Sequence, residues 1–176
     1  GMVDYMEGDK DGALNFWEKS INLNPNDNDG KPLNNIGNIY KEKGDIKKAI
    51  EYYEKAVSQE KSFLYVNNLA EAFRVSGQIE KAEKILLGSI KENPKSQLAH
   101  FNLAKVYSEQ NKLDQALEAF AKSLKVNPQF LEPYYESAQI YLKQNDKGSA
   151  MAQLKKALEE GATEPKFKDL LSKITA

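Results

Sequence analysis

The side chains able to do chemistry are few, and they do not converge. His100 is the only histidine and there is no cysteine, so neither a thiolate nucleophile nor a cysteine–histidine zinc set can form. Asp27, Asn28, Asp29 and Gly30 are the residue types of a calcium loop. With Gly30 in the sixth loop place, however, the first and twelfth places fall on Pro25 and Ile36, and neither offers a carboxylate. The glycines stand singly, so none of them builds a phosphate-cradling loop. No catalytic residue, metal site or cofactor site is expected, and the chain does not read as an enzyme. What recurs instead is the carboxamide, at Asn35, Asn68 and Asn102 among others. A carboxamide both donates and accepts hydrogen bonds, so asparagines repeated at a fixed spacing suit recognition of a peptide backbone.

The composition agrees with recognition of protein. The 25 basic residues balance 26 acidic ones, for a net charge of -1. Duplex nucleic acid calls for a basic face, and nothing here favours an anionic membrane surface. Hydrophobic residues make up 40% of the chain, enough for a packed core, and no run of 18 apolar residues could span a bilayer. The start is neither basic nor followed by an apolar stretch, so no signal peptide is read there. The lack of cysteine fits a reducing, cytoplasmic setting. Gly1 before Met2 reads as an expression scar, which leaves export open if a leader was removed.

The elements that must position these side chains follow from a repeat. Ala13, Ala49, Ala82, Ala116 and Ala150 each lie five residues after a turn residue: Gly8, Gly44, Gly77, Asn111 and Asn145. By subtraction the alanine spacings are 36, 33, 34 and 34 residues, a period that marks a helix–turn–helix array. Leu33, Ile36, Gly37 and Tyr40 form one helical stripe, and Ile46, Ala49, Ile50, Tyr53, Ala56 and Val57 form a second after the turn. The two stripes face each other as an antiparallel helix pair. Alanine recurs because helices that cross closely admit only a small side chain. Pro25, Pro94 and Pro128 punctuate the ends of second helices.

Later units repeat the pattern: Val66, Leu69, Ala70, Phe73, Gly77, Ala82, Leu86, Ser89 and Pro94, then His100, Leu103, Ala104, Tyr107, Asn111, Ala116, Phe120, Ser123 and Pro128. The last unit carries Tyr134, Ala138, Tyr141, Asn145, Ala150, Leu154 and Ala157. In combination these residues resemble the tetratricopeptide repeat family over roughly residues 5–164. Lys61 and Ala162 stand where the pattern has proline, and Asn24–Lys31 is about two residues longer than usual. The resemblance implies an all-α fold, a right-handed α-solenoid of antiparallel helix pairs. A partial first repeat (1–29) precedes full repeats at 30–62, 63–96, 97–130 and 131–164. Phe167, Leu170, Leu171 and Ile174 make residues 165–176 an amphipathic capping helix. Leu14, Trp17 and Ile21 lack a complete first helix to pack on. That leaves two further expectations, a longer parent protein such as an enzyme's regulatory region or a membrane-anchored assembly or secretion factor, or pairing with a second copy through this end.

The resemblance also implies where binding occurs. In this architecture the first helix of each pair lines a concave groove, and residues one, two and five places after the leading large residue face it. These are Asn34, Asn35 and Asn38; Asn67, Asn68 and Glu71; Phe101, Asn102 and Lys105; Tyr135, Glu136 and Gln139. Arg74 lies one turn further on, and Leu64 and Leu98 add apolar contact ahead of the leading residue. The expected contact set is Asn34, Asn35, Asn38, Asn67, Asn68, Arg74, Phe101, Asn102, Lys105 and Tyr135. Asn35, Asn68 and Asn102 form its ladder, and Phe101 and Tyr135 its aromatic anchors. Arg74 has a second partner within reach, Glu71 at i-3. A subtype that clamps acidic tails of heat-shock chaperones fits poorly. Asn38 and Asn68 match its asparagines, but Asn34, Leu98 and Asn102 stand where it needs basic residues. His100 fills the slot held by Leu33, Val66 or Tyr134 elsewhere and is expected to pack. The expected function is a non-catalytic adaptor that binds a peptide or helix of a protein partner.

Overall fold

The computed structural model describes residues 9–23 and 29–175. Among them are ten α-helices and no strand. They are α1 (Lys10–Leu23), α2 (Lys31–Glu42), α3 (Ile46–Gln59), α4 (Phe63–Val75), α5 (Ile79–Glu92), α6 (Gln97–Glu109), α7 (Leu113–Val126), α8 (Glu132–Lys143), α9 (Lys147–Glu159) and α10 (Pro165–Thr175). The chain forms two compact units, Gly1–Ile85 and Leu86–Ala176, with the boundary inside α5. In the first unit α1 packs on α2, α2 on α3 and α3 on α4. In the second the same succession runs α6, α7, α8, α9 and α10. Gly8, Pro25, Asp27 and Asn28 lie outside the described residues, as does most of the longer connection expected at Asn24–Lys31.

The turns explain the repeated glycine and asparagine. Gly44, Gly77 and Gly161 have φ of 81°, 78° and 100°, and Asn111 and Asn145 have φ of 58° and 59°. Each closes the preceding helix with the same pair of hydrogen bonds. The Gly44 N–H donates to the Lys41 carbonyl and the Asp45 N–H to the Tyr40 carbonyl. The pattern returns at Gly77 and Gln78, Asn111 and Lys112, Asn145 and Asp146, and Gly161 and Ala162. This is the Schellman arrangement, whose left-handed residue must be glycine or the asparagine that tolerates that region. Two of the following helices then start on an aspartate cap. The Asp45 and Asp146 carboxylates accept from the N–H groups of Lys48 (3.1 Å) and Ser149 (2.9 Å). Pro94 and Pro128 fall just beyond α5 and α7, where the sequence places the helix ends.

The five alanines are all fully buried. The facing small position on the first helices is Gly37, Ala70, Ala104 or Ala138, also buried. Gly37 is glycine for a local reason: a Cβ there would lie 2.6 Å from the ring of Tyr53. Tyr53 is fully buried, and its hydroxyl donates to Asn38 Oδ1 at 2.7 Å. At the start of α2, Gly30 likewise sits under the Tyr65 ring, which a Cβ would meet at 2.7 Å. Burial pushes the Tyr65 phenol up to about 12, helped by the charge of Glu60, a hydrogen bond to it and the charge of Asp29. α10 buries Phe167 and Ile174 in one cluster with Tyr134, Ala138, Leu154 and Ala157. At α1, Phe16 and Leu23 stay 49% and 79% exposed.

Candidate functional site

In the first unit the candidate residues sit on α2 and α4. Asn35 and Asn68 are half-buried, in contact with solvent. Asn34 and Asn67 depart from expectation, because both are buried, at 4% and 5% exposure. Directly after the leading residue, Asn34 turns toward the neighbouring first helix, while Phe101 and Tyr135 at the same place in their repeats stay half-exposed. There Asn34 Oδ1 accepts from Asn68 Nδ2 at 2.8 Å, tying α2 to α4. Asn67 Nδ2 turns back to the Phe63 carbonyl at 2.7 Å. Asn38 is half-buried and receives the Tyr53 hydroxyl. Arg74 takes its local alternative. Nε and Nη2 form a two-point fork on the Glu71 carboxylate at 2.9 and 2.8 Å, the strongest geometry available to an arginine.

In the second unit the candidates sit on α6 and α8. Phe101 is half-buried, with its ring 4.9 Å from Phe130 and 5.7 Å from Phe120. The Lys105 ammonium stands 5.6 Å from the same ring. The Tyr135 ring packs T-shaped with Phe167, centroids 5.6 Å apart, and lies 5.4 Å from the Lys166 ammonium, both from α10. Each aromatic thus offers a held face, not a mobile side chain. Asn102 and Lys105 are half-buried beside them. Leu64 and Leu98 are 53% and 39% exposed at the starts of α4 and α6. His100 is buried, and its Nε2 lies 2.9 Å from the Pro94 carbonyl.

The link from Tyr53 to Asn38 was missed by sequence reasoning. Its signal was present: Tyr53 fills the slot that holds Leu86, Phe120 or Leu154 in the other repeats, and only a tyrosine carries a hydroxyl to share. No described helix is long and apolar enough to cross a membrane.

Comparison with known proteins agrees with the helical-repeat architecture. Three family models described as tetratricopeptide repeat match residues 31–63, 85–118 and 108–174. The chain belongs to the tetratricopeptide repeat family. Its fold is accordingly all-α, of the solenoid class, and the chain is a protein–protein interaction module. Among solved structures, MamA is 27% identical, with a TM-score of 0.75 over 90% of this chain and 92% of that one. A thermophilic tetratricopeptide protein of Thermus thermophilus is 23% identical, with a TM-score of 0.79 over 99% and 95%. YrrB, a tetratricopeptide protein described as having an unusual peptide-binding site, is 20% identical, with a TM-score of 0.69 over 96% and 86%. No curated protein sequence matches the chain. Proteins of this family and fold are typically non-catalytic scaffolds.

Proposed function

We propose that the chain is a non-catalytic adaptor in which the first helices of a unit hold an extended peptide of a partner protein against their solvent-facing sides. The observation that carries this reading is the Asn34–Asn68 bond. It fixes the Asn68 carboxamide with one N–H spent inward, and leaves its oxygen and second N–H as a preset donor–acceptor pair. A group already held in place loses little freedom when a ligand binds. Asn35 lies half-exposed on the neighbouring helix. On α2 and α4 the contact residues are therefore Asn35, Asn38, Asn68 and Arg74, with Asn34 and Asn67 as buried supports. On α6 and α8 they are Phe101, Asn102, Lys105 and Tyr135, where the two packed rings act as apolar anchors.

The test is calorimetric titration with a peptide selected from a displayed library against the wild type. Asn35→Ala with Asn68→Ala, and separately Asn102→Ala, should each weaken binding by about tenfold, the scale of one or two hydrogen bonds. Unchanged affinity in both variants, with the helical circular dichroism intact, would rule out the asparagine reading.

A further inference from the structure

The second unit carries a pocket of about 610 Å³ that the reading above does not use. It is lined by Pro94, Lys95, His100, Lys122, Lys125 and Val126. Pro94 and Lys95 come from the turn before α6, His100 from the N-terminal end of α6, and the other three from the last turns of α7. At 100° per residue, His100 stands about 200° around α6 from Asn102 and about 140° from Lys105. The pocket therefore belongs to a different side of the helix from the candidate peptide contacts.

Its chemistry is one-sided. The described lining holds three lysines and a histidine but no carboxylate. Lys122 shares its charge with Glu118, 2.7 Å away and one turn earlier on α7. Beside these cations, Val126 is 41% exposed and forms an apolar wall with Pro94. His100 closes the inner end. A carbonyl only accepts, so in the contact with Pro94 it is Nε2 that carries the proton.

We propose that this pocket binds a carboxylate of an acidic peptide segment from a partner protein, with an adjacent apolar side chain against Pro94 and Val126. The size lies within the ~300–1,000 Å³ range of ligand-binding pockets. Lysine is a compact point charge on a flexible stem, suited to a single carboxylate whose position the partner's backbone sets. A nucleic-acid strand is disfavoured by the pairing of Lys122 with Glu118 and by the chain's net charge of -1. A free inorganic anion would leave the apolar wall unused.

The single histidine makes the test site-specific, because its imidazole gives one set of NMR signals. The whole protein is titrated with an acetylated, amidated hexapeptide of alternating Glu and Leu, and with its Gln counterpart. A second Gln–Leu peptide with a free C-terminus and inorganic phosphate are run in parallel. The His100 signals should shift saturably with the Glu peptide and not with the amidated Gln peptide. Saturation by the free C-terminus would also support the proposal, and would assign the carboxylate to a chain end. Lys95→Glu with Lys125→Glu, both exposed positions, should weaken the Glu peptide by about tenfold or more, since like charges oppose it. Lys125→Gln serves as a milder second variant and should weaken it less. The proposal is overturned by equal shifts from the Glu and Gln peptides, by full affinity in the charge-reversed variant, or by phosphate saturating the site at lower concentration than the peptides.

Discussion

Gly77 and Gly88 have the same empty surroundings, since a Cβ built on either meets no atom within 4 Å. They differ only in backbone. Gly77 sits at φ 78° in a helix-closing turn, while Gly88 lies inside α5. Alanine should therefore act with opposite sign at the two sites. Gly77→Ala forces an L-residue into the left-handed region and should cost about 1–2 kcal/mol. Gly88→Ala removes unfolded-state freedom and should stabilise by roughly 0.5–1 kcal/mol. Urea denaturation of both variants checks the pair, and a matching sign would contradict the account of the turns. At Asn111 and Asn145 the same turn is met by a side chain that tolerates it, which is why the sequence alternates glycine and asparagine at one fixed place.

At the scale of a helix pair, the packing of α2 on α3 rests on Gly37 beneath Tyr53. Ordinarily alanine strengthens a helix relative to glycine. Here the added methyl would meet a ring that is fully buried and tethered through its hydroxyl to Asn38. Gly37→Ala should be destabilising by about 1–3 kcal/mol, the range for an overfilled core. The last repeat shows the way out, because it has Ala138 where Leu154 replaces the tyrosine. Gly37→Ala combined with Tyr53→Leu should be less damaging than the sum of the two single changes, with a coupling on the order of 1 kcal/mol. Thermal denaturation of the four-member cycle measures it, and strict additivity would mean that the two groups do not compete for space.

Across the molecule, the least buried of the described helices is α1. Ala13 is its one described buried residue. Its links to α2 include two exposed ion pairs, Lys10–Glu42 at 3.2 Å and Lys43–Asp11. Exposed pairs are screened by salt. The hydrogen bond and charge of Lys43 hold the Asp11 carboxyl below its usual range, so its contribution is complete above that range and is lost as pH falls through the lowered value. Amide exchange in α1 should accordingly speed up relative to α2 and α3 at high salt, and again in acid. Equal protection of α1 and α3 across that series would show that burial, not charge, holds the end.

How much was legible in the sequence depends on distance along the chain. The turn residues and the buried alanines follow from local spacing, so a 34-residue period suffices to place them. The fates of the candidate contacts do not. Asn34 and Asn67 lie only one position from solvent-facing neighbours, and 100° of rotation decides between burial and exposure. The packing of Tyr135 depends on Phe167 and Lys166, some thirty residues later, and that of Phe101 on Phe130. Hydrophobic patterning says that these aromatics are amphipathic, but not which neighbour claims their faces.

The docking of α10 on α9 has an evolutionary consequence. It takes the place against a second helix that α4 takes on α3 and α8 takes on α7. A unit copied into the array between α9 and α10 would therefore have to offer α9 a face like that of α10 and offer α10 a face like that of α9.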